Sequence, residues 1–581
     1  MKTYYIGLNA SYHDPALAIV GQRGEVVYAE ATERILQYKR ALNCEADNLS
    51  ALPDLLARYC PDAARIVVAS DWNRNRPWYE RLANGLGLLQ PQGLRRTGIK
   101  RLRSPLANHR IHHMMACNRH TVQRAGLNLA CILAETAPDC TVEFRSFPHH
   151  LAHAAVACRG SGLAEAACAV VDSYGENGSA AFYRYRNGAL EPLHEARGLG
   201  SLGLLYMKLT ELCGFDWMQG EEWKVMGLAA YGRVDEHILQ LLRRVLRTEG
   251  LSLSHPRESA TAALAELERL RRPPPRPPED AADLACTGQH FFCEIMGRLL
   301  TELCARSGAE NLCLAGGCAL NSSCIGTVRK TTGFGHFYVP PAPADDGAAL
   351  GAAWLAFAED EGELPPAATE LPAYLGSSLD ADAIRRLERY GLGLVVQKPG
   401  QDLFNETARL LAEGKLVGWI QGRAEFGPRA LGNRSILADP RDPAMAGRLN
   451  ARVKLREQFR PFAPAILHEF GGEYFHDYRD TPYMECALRY RAEVVGRVPA
   501  VVHRDGTGRL QSVTSDRNPR FHALLQAFHR LTGVPVLLNT SFNIMGKPMV
   551  HSVEDAIGLF MTSGLDVLVL GETLFAKPPS P

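Results

Sequence analysis

The sequence HHLAHAAVACRGSGLAEAACAVVDSYGENG (His149–Gly178) decides the fold class, because it joins a helix-forming segment to an apolar strand that ends in a polar turn. The strand is predicted over Ala167–Val171, and Asp172 follows it at once. The same order occurs in LCLAGGCALNS (Leu312–Ser322), where the predicted strand Leu312–Ala315 enters a Gly-Gly turn. Strands that alternate with helices and end in Asp- or Gly-containing turns predict an α/β fold with ligands at the strand ends.

Other segments extend this α/β pattern and suggest where the chain divides. Tyr4–Leu8 and Leu17–Val20 are predicted strands, whereas His237–Arg247 and Cys293–Ser307 are predicted helices. The segment Asp360–Gly376 is rich in Pro, Glu and Gly, as a domain linker is. We therefore expect two domains, residues 1–360 and 377–581, and we see no internal repeat in the sequence.

The composition is that of an ordinary globular protein without an excess of charge. The chain has 581 residues, enough for two or more domains with cores of their own. Its 64 Lys and Arg residues balance 63 Asp and Glu residues, which argues against a nucleic-acid-binding protein. The basic stretch Arg95–Arg124 lacks regular aromatic residues, so we interpret it as a solvated or substrate-covering segment. The Pro-rich stretch Arg271–Asp280 is predicted to be an exposed linker inside the first domain.

The sequence favours a cytoplasmic location. The chain does not open with a basic segment and a long apolar run, so a signal peptide is not expected. A run of about 18 apolar residues is also missing, and we expect no membrane among the partners. The 15 cysteines form no CxxC pair, which favours reduced thiols and argues against a cysteine-based zinc site.

Two histidines and two aspartates form the strongest candidate metal site. His149 and His153 are four residues apart, so a helix places both imidazoles on one face. Asp172 and Asp345 each stand at a Gly-flanked turn and complete an N₂O₂ set of metal ligands. His150 points away from this helix face and is interpreted as structural or supporting.

Further candidates in the first domain each have an ordinary alternative. Gly316 and Gly317 allow close approach of a phosphate or adenosine, or form a plain strand–helix turn. His13 can act as a general base, or it is an exposed residue beside a turn-capping Asp14. Lys224 in EEWKVMGLAAYG can meet a phosphate, or it belongs to the charged start of a core helix.

The second domain carries arginines among Gly and Pro residues, and this pattern predicts an anion pocket. Guanidinium groups match the oxygens of phosphate, and few acids interrupt the basic residues here. Asn539, Ser541 and Asn543 add donors suited to a carbonyl or phosphate. The basic residues of this predicted pocket are Arg423, Arg429, Arg434, Arg452, Lys454, Arg456, Arg460 and Arg509.

These motifs together resemble the NodU/CmcH family of carbamoyltransferases, and the resemblance covers essentially the whole chain. Many matches occur in the same order, which makes the resemblance specific. The matching segments are YHDPA (12–16), TER…K (32–39), HHLAHA (149–154), VVDSYGENG (170–178), SLGLLY (201–206), EEWKVMGLAAYG (221–232), GGCALN (316–321), DDGAALGAA (345–353), FGPRALGNRSIL (426–437), VKLREQFRPFAP (453–464) and NTSFNIMGKP (539–548).

The resemblance implies an actin-like (ASKHA-type) N-terminal domain followed by a YrdC-like α/β C-terminal domain. The second domain would convert carbamoyl phosphate and ATP to carbamoyl-adenylate, and the first would pass the carbamoyl group to a hydroxyl of a small natural-product or sugar-like acceptor. Iron(II), or zinc in its place, is the implied metal, and Mg²⁺ is a further expected ion. By matching positions, the resemblance assigns His149, His153, Asp172 and Asp345 to the metal, Lys39, Lys224, Gly316, Gly317, Asn321, Arg429, Arg509, Asn539 and Ser541 to nucleotide or carbamoyl phosphate, and His13, Lys454 and Arg460 to catalysis.

The chain departs from the family pattern at a few positions, and two other functions stay open. Trp223 and Gln37 replace the family's usual residues beside the expected acceptor site, so they bear on which alcohol is used. A tRNA threonylcarbamoyl-type enzyme is one alternative, which the balanced net charge disfavours. A non-enzymatic, actin-like nucleotide-binding regulator is the other, which the arginines and metal set disfavour. The oligomeric state is open, with a homodimer as one candidate.

Overall fold

The computed structural model describes residues 2–73, 106, 109–362, 369–391 and 393–578. The chain divides into two compact units. The first contains Met1–Glu33, Arg40–Leu320 and Thr327–Leu371, and the second contains Arg34–Lys39, Asn321–Gly326 and Pro372–Pro581. The main division, after Leu371, falls inside the segment that the sequence suggests as a linker.

The strands of the first unit lie where apolar residues run between polar turns. Each predicted strand is present, extended by one or two residues at its ends. The strands are β1 Lys2–Asn9, β2 Ala16–Val20, β3 Val26–Ala31, β4 Ala63–Ser70, β5 Thr141–Ser146, β6 Glu165–Val171, β7 Gly178–Arg186, β8 Ala189–Arg197, β9 Arg247–Glu249, β10 Ser252–Ser254, β11 Asn311–Ala315 and β12 His336–Tyr338.

Among the described residues of this unit, two five-stranded sheets share one topology. Their strand orders are β3-β2-β1-β4-β5 and β12-β11-β6-β7-β8. In each sheet an antiparallel meander of three strands continues into two parallel strands. The unit therefore contains a duplicated fold although the sequence shows no repeat, because topology is kept by apolar patterning rather than by residue identity. The actin-like α/β class is confirmed for this unit.

Helices join and cover these strands. The predicted helix His237–Arg247 is observed as Glu236–Val245, where the Asp235 carboxylate caps the N-terminus by accepting from the amide of Ile238 at 3.0 Å. Among the described residues up to 361, the helices are α1 Thr32–Leu36, α2 Leu52–Tyr59, α3 His109–Arg124, α4 Leu127–Thr136, α5 His149–Gly160, α6 Leu202–Leu212, α7 Glu222–Leu228, α8 Glu236–Val245, α9 Arg257–Glu268, α10 Ala282–Ser307, α11 Ser322–Ile325, α12 Val328–Thr331 and α13 Asp345–Glu361.

Helix α13 packs directly against strand β1 and helix α5, and small residues make this approach possible. A Cβ atom on Gly7 would lie 1.8 Å from the carbonyl oxygen of Ala349. A Cβ atom on Gly351 would lie 1.9 Å from the carbonyl oxygen of Ala152. The close packing fixes the start of α13 beside the start of α5, which is where Asp345 and His149 lie.

Two segments singled out in the sequence differ in part from expectation. Arg271–Asp280 is mostly exposed, but Arg272 is buried and donates to the carbonyl oxygens of Cys213 at 2.7 Å and Gly214 at 3.0 Å, so it anchors the segment. Residues 95–105 of the basic stretch lie outside the described part of the chain, and its end forms helix α3. None of the described helices combines the length and the apolar character that crossing a bilayer requires.

The second unit has a mixed α/β architecture of its own. Its described strands form an eight-stranded sheet in the order β13-β22-β21-β14-β15-β20-β16-β19, together with the hairpin β17–β18. The central strands β14 and β15 are buried at every residue; β14 has no polar side chain, whereas β15 begins with the buried Arg434 and Ser435. The strands are β13 Val395–Gln397, β14 Val417–Ile420, β15 Arg434–Ala438, β16 Ala463–Leu467, β17 Ala487–Arg489, β18 Thr507–Arg509, β19 Gln511–Val513, β20 Val536–Ser541, β21 Val567–Leu570 and β22 Thr573–Ala576.

A one-turn π-helix at Asn450–Lys454 interrupts the helical segment before β16. Leu455 follows it with a φ of +49°, a left-handed conformation that costs about 1–3 kcal/mol for such a residue. The remaining helices are α14 Ala381–Tyr390, α15 Leu403–Ala412, α16 Met445–Leu449, α17 Gly471–Tyr474, α18 Ala492–Val495, α19 Pro519–Thr532 and α20 Val553–Thr562.

Candidate functional site

The four predicted metal ligands converge in the first unit. His149 and His153 lie on α5, Asp172 follows β6, and Asp345 begins α13, and all four are buried. Each residue offers one ligand atom, and these four atoms lie within 4.8 Å of one another. The His149 Nε2 atom is 3.2 Å from His153 Nε2, 3.3 Å from Asp172 Oδ2 and 3.7 Å from Asp345 Oδ1.

The geometry of this cluster fits one small divalent cation. A tetrahedral ion with ligands at about 2.1 Å separates neighbouring ligand atoms by about 3.4 Å. His153 Nε2 lies 3.8 Å from Asp172 Oδ2 and 3.7 Å from Asp345 Oδ1, close to that spacing. Two imidazoles and two carboxylates suit zinc or iron(II) better than Ca²⁺ or Mg²⁺, which prefer oxygen ligands. The residues could therefore hold such a metal.

Backbone amides and a hydroxyl orient the two carboxylates. Asp172 Oδ1 accepts from the amides of Ser173 at 2.7 Å and Gly317 at 3.1 Å, which leaves Oδ2 in the cluster. Asp345 Oδ2 accepts from the Ser11 hydroxyl at 3.0 Å, which leaves Oδ1 there. Burial alone would raise the pKa of Asp172, but the hydrogen bond from His149 and the nearby His153 outweigh it and lower the pKa.

His13 lies beside this cluster in the loop after β1. Its Nδ1 atom is 3.0 Å from Asp14 Oδ2 and 3.6 Å from Asp345 Oδ2, and 18% of its side chain is exposed. Arg40 holds Asp14 in turn, with Nη2 at 2.7 Å from Asp14 Oδ2. Asp14 has a φ of +55°, so the loop keeps a strained conformation at this point.

The Asp14–Arg40 pair fixes the charge beside His13. Burial alone would raise the pKa of Asp14, but Arg40 and His13 outweigh it and hold the pKa well below its ordinary value. An anionic Asp14 accepts the Nδ1 proton of His13 and leaves Nε2 with a lone pair. The arrangement of His13, Asp14 and Arg40 can therefore take up a proton from a group facing Nε2.

The glycine turn supports the cluster directly. Gly316 has a φ of +86°, and Gly317 donates its amide to Asp172. Asn321 belongs to the second unit, where its side chain caps α11 by accepting from the amide of Cys324 at 3.1 Å. In this structure the Asn321 oxygen and the Gly317 amide therefore already have protein partners.

Two further residues of the first unit, Lys224 and His150, differ in their surroundings. The ammonium group of Lys224 lies 2.6 Å from Glu221 Oε1 and 5.2 Å from the centre of the Phe215 ring. His150 is buried next to Gly175, and its Nε2 atom has no hydrogen-bond partner among the described residues. Burial and the neighbouring His149 lower the pKa of His150 to about 3, so this imidazole is neutral.

Four arginines of the second unit lie near one another and are called the arginine group here: Arg429, Arg456, Arg460 and Arg509. Burial and the neighbouring Arg509 lower the pKa of Arg429, and burial together with Arg460 and Arg509 lowers the pKa of Arg456. Burial lowers the pKa of Arg509 as well, to about 10. Arg460 forms an ion pair with Glu457, with 3.4 Å between Arg460 Nη1 and Glu457 Oε2. Like charges held together in this way favour an anion.

Lys454 lies close to Arg456 and Arg460 of this group and binds the end of β20. Its ammonium group donates to the carbonyl and hydroxyl oxygens of Ser541, to the Asn543 carbonyl oxygen at 3.1 Å and to Asn543 Oδ1 at 2.7 Å. Its side chain is buried. Asn539 uses its amide to donate to the Ala430 carbonyl oxygen and to Gln511 Oε1, at 3.2 and 2.7 Å. The hydrogen bonds of Lys454 and Asn539 thus fix the backbone at the end of β20, including Ser541.

Three arginines predicted for the anion pocket have protein partners in the structure. Arg434 is fully buried and donates to the carbonyl oxygens of Gln421 and Ser377, at 2.8 and 2.9 Å. Arg423 donates to the carbonyl oxygens of Gly376 and Leu375. Arg452 is half exposed and lies 3.8 Å from Asp566. A Gly- and Pro-rich backbone exposes carbonyl oxygens that bind guanidinium groups as phosphate does, so the part these three play in an anion pocket stays a prediction.

Lys39 belongs to the short segment of the second unit, Arg34–Lys39, that precedes Arg40. Within this segment Arg34 Nη2 donates to the Gly427 carbonyl oxygen at 2.7 Å, and Gln37 Nε2 donates to that of Met549 at 3.0 Å. The segment therefore borders the FGPRALGNRSIL and NTSFNIMGKP motifs.

Comparison with known proteins identifies the family. The N-terminal family model of carbamoyltransferases matches residues 119–354, and the C-terminal family model matches residues 408–577. The protein sll1178 of Synechocystis sp. is 32% identical over 100% of this chain and 97% of its own length. The chain belongs to the carbamoyltransferase family.

Other similarities of this carbamoyltransferase are more partial. Nodulation protein NolO of Bradyrhizobium diazoefficiens is 35% identical over 74% of the chain and 79% of its own length. Among solved structures, HypF of T. kodakarensis matches with a TM-score of 0.32 and 15% identity, over 62% of the chain and 48% of that structure. The chain spans about half the length of that structure.

Sequence reasoning missed two residues of the candidate site, Asp71 and Arg40. Asp71, directly after β4, is fully buried and hydrogen-bonds His149 Nδ1 at 3.0 Å. Arg40 was not singled out, although it holds Asp14. A polar residue directly after an apolar strand was the available signal for Asp71, the same signal that marks Asp172.

Proposed function

We propose that this carbamoyltransferase is an ATP-dependent O-carbamoyltransferase for a small hydroxylated acceptor. Carbamoyl phosphate, ATP and one water would give carbamoyl-adenylate, phosphate and pyrophosphate. The acceptor hydroxyl oxygen then attacks the carbamoyl carbon, its proton leaves, and the carbon–oxygen bond to AMP breaks. The products are the carbamate ester and AMP.

The arginine group of the second unit supports the first reaction. Both substrates are polyanions, and guanidinium groups bind phosphate oxygens in pairs. The lowered pKa values of Arg429, Arg456 and Arg509 reflect buried positive charge that a phosphate ligand would compensate. We assign Arg460 and the neighbouring Arg429 and Arg509 to carbamoyl phosphate and ATP, with Lys454 holding the loop at Ser541. A YrdC-like fold for this unit is part of the proposal, and so is Mg²⁺ as the partner of ATP.

His13 supports the second reaction as the base for the acceptor hydroxyl. Asp14 accepts the Nδ1 proton at 3.0 Å, so Nε2 is available to receive the hydroxyl proton. Arg40 keeps Asp14 anionic. An alcohol is a weak nucleophile, so removal of its proton during attack lowers the barrier.

A metal bound by His149, His153, Asp172 and Asp345 would supply Lewis-acid stabilisation of charge on the acyl phosphate. Iron(II), or zinc, fits the two imidazoles and two carboxylates. Gly317 and Ser11 hold the two carboxylates in the orientation that directs one oxygen of each into the cluster. In the proposal, Lys224, Gly316 and Gly317 of the first unit approach the nucleotide.

The observation that carries the proposal is the position of Asp345. Its Oδ1 lies in the metal cluster, and its Oδ2 lies 3.6 Å from His13 Nδ1. One carboxylate thus connects the candidate metal ligands to the candidate base. That connection is what a reaction needs when a proton is removed beside an activated carbonyl group.

The test uses purified, metal-loaded protein with ATP and carbamoyl phosphate but without acceptor. We expect AMP and pyrophosphate to form only when carbamoyl phosphate is present. Arg460→Ala should abolish this cleavage, whereas Arg452→Ala, a half-exposed arginine of the same segment, should keep it. His149→Ala, which keeps three of the four candidate ligands, should bind metal much more weakly but retain cleavage in part, and it should lose transfer once an acceptor is added. ATP cleavage that is equally fast without carbamoyl phosphate would refute the proposed chemistry. An Arg460→Ala variant that cleaves ATP at the parental rate would refute it as well.

A further inference from the structure

Asp71 makes two hydrogen bonds that the proposed reaction does not use directly. Its Oδ1 accepts from the amide of Ala10 at 3.0 Å, and its Oδ2 lies 3.0 Å from His149 Nδ1. The residue directly follows β4 and has no exposed surface. A buried carboxylate with one fixed backbone donor has its second oxygen directed at one target, which here is the imidazole of His149.

This contact decides which nitrogen of His149 carries the proton. The carboxylate of Asp71 can only accept, so Nδ1 carries the hydrogen and Nε2 has the lone pair. Nε2 is the atom that faces His153 Nε2 and Asp172 Oδ2, at 3.2 and 3.3 Å. The tautomer selected by Asp71 is therefore the one that can bind a cation in the cluster.

The two histidines of the cluster are supported differently. The Trp72 ring stacks on the His149 ring, with 4.7 Å between ring centres and 26° between the planes. Asp71 and Trp72 thus restrain one edge and one face of the same imidazole. The Nδ1 atom of His153 is buried and has no hydrogen-bond partner among the described residues. The support is specific to His149.

We infer that Asp71 is a positioning residue that holds His149 as an Nε2 metal ligand and strengthens metal binding in the cluster. The inference rests on the metal centre of the proposed function. A carboxylate that accepts from the far nitrogen of a histidine ligand fixes the ring and makes the ligand atom more basic. Loss of such partners typically lowers metal affinity about 10- to 100-fold.

Asp71→Asn tests the inference with little change of shape. If the asparagine oxygen keeps the Ala10 amide, its NH₂ group faces His149 Nδ1 and drives the imidazole proton onto Nε2. We expect affinity for Zn²⁺, measured by competition with a chromogenic chelator, to fall about 10- to 100-fold. The visible spectrum of the Co²⁺-loaded protein should change as well, because the ligand field would lose its His149 nitrogen.

Asp47→Asn is the matched control. Asp47 is also fully buried in the first unit, but its Oδ2 accepts from the backbone amides of Asn128 at 3.0 Å and Leu129 at 3.2 Å. This control should lose stability without losing Zn²⁺ affinity. If Asp71→Asn does not fold, Asp71→Ser is the second variant, because serine can accept from Ala10 but cannot reach His149.

A double-mutant cycle separates the role of Asp71 from a general effect. In a His149→Ala background, Asp71→Asn should change Zn²⁺ affinity by less than about twofold, because its target is gone. Folded Asp71→Asn protein with parental Zn²⁺ affinity would overturn the inference and leave the metal centre standing. Parental protein that binds neither Zn²⁺ nor Co²⁺ would overturn the metal centre and the role of Asp71 together.

Discussion

Alanine substitutions at Gly316 and Gly317 should have different consequences, although the two residues are neighbours. Gly316 has a φ of +86°, and a Cβ atom there would lie 2.3 Å from the carbonyl oxygen of Val171 in β6. The left-handed conformation costs about 1–2 kcal/mol for a residue with a Cβ atom. Displacement of packed backbone adds about 1–3 kcal/mol. We therefore expect Gly316→Ala to lower the free energy of unfolding by about 2–5 kcal/mol.

Gly317 has a different constraint. A Cβ atom there would lie 3.1 Å from Asp172 Oδ1, so the carboxylate must move by a few tenths of an ångström. The same oxygen accepts from the Gly317 amide, and the other oxygen lies 3.3 Å from His149 Nε2. Gly317→Ala should cost about 1 kcal/mol or less in stability. It should weaken metal binding about tenfold, because the carboxylate is reoriented.

Chemical unfolding followed by circular dichroism gives the stability of both variants, and chelator competition gives their Zn²⁺ affinity. We expect Gly316→Ala to lose much of its free energy of unfolding and Gly317→Ala to lose mainly Zn²⁺ affinity. A Gly316→Ala variant as stable as the parent would refute the steric reasoning. A Gly317→Ala variant that binds Zn²⁺ normally but ADP weakly would favour nucleotide contact as the role of this glycine.

Three further predictions concern the second unit. Lys454→Met should destabilise it by about 2–5 kcal/mol, measured by urea unfolding, because buried oxygens of Ser541 and Asn543 lose their donor. Arg429→Ala should change the free energy of unfolding by about 1 kcal/mol or less, yet lower carbamoyl phosphate-dependent ATP cleavage at least about tenfold. Arg434→Met should instead lower the free energy of unfolding, because the carbonyl oxygens of Gln421 and Ser377 lose their donor, and should keep the cleavage. Burial raises the pKa of Glu485 to about 7 in the folded protein. As the pH rises, the unfolded chain loses this proton at a lower pH than the folded protein does, so the free energy of unfolding declines between about pH 5 and 7. Glu485→Gln should remove that decline and gain up to about 3 kcal/mol over the parent at pH 8, and equal pH profiles of the two proteins would contradict this.

The candidate metal site could be predicted because its signals are local. Helical periodicity alone places His149 beside His153, and a strand followed by Asp172 marks the edge of a sheet. Asp71 follows the same strand-end rule, but its sequence DWN contains no spacing that distinguishes it from an ordinary turn. Its partner is 78 residues away, and the parallel pairing of β4 with β5 brings the two chain segments together.

The members of the anion pocket are harder to predict from the sequence, for a physical reason. Arg423, Arg429 and Arg434 share one Gly- and Pro-rich segment, and composition cannot tell which guanidinium group binds backbone carbonyl oxygens. Arg434 lies in a fully buried strand and must satisfy its donors inside the protein. The domain boundaries have a similar limit, since Arg34–Lys39 and Asn321–Gly326 join the second unit through contacts with distant residues such as Gly427 and Arg479.

The two candidate sites have opposite charge, and the stability of each unit therefore depends on whether its ligand is bound. In the first unit, the carboxylates of Asp172 and Asp345 are buried around a common centre with two imidazoles. In the second, burial lowers the pKa of Arg429 and Arg509, which means that folding holds positive charge at a cost. A ligand that binds the folded state alone stabilises it in proportion to the logarithm of its concentration over its dissociation constant. The same buried charges that select a cation in one unit and phosphate in the other therefore make each unit more stable when its ligand is bound.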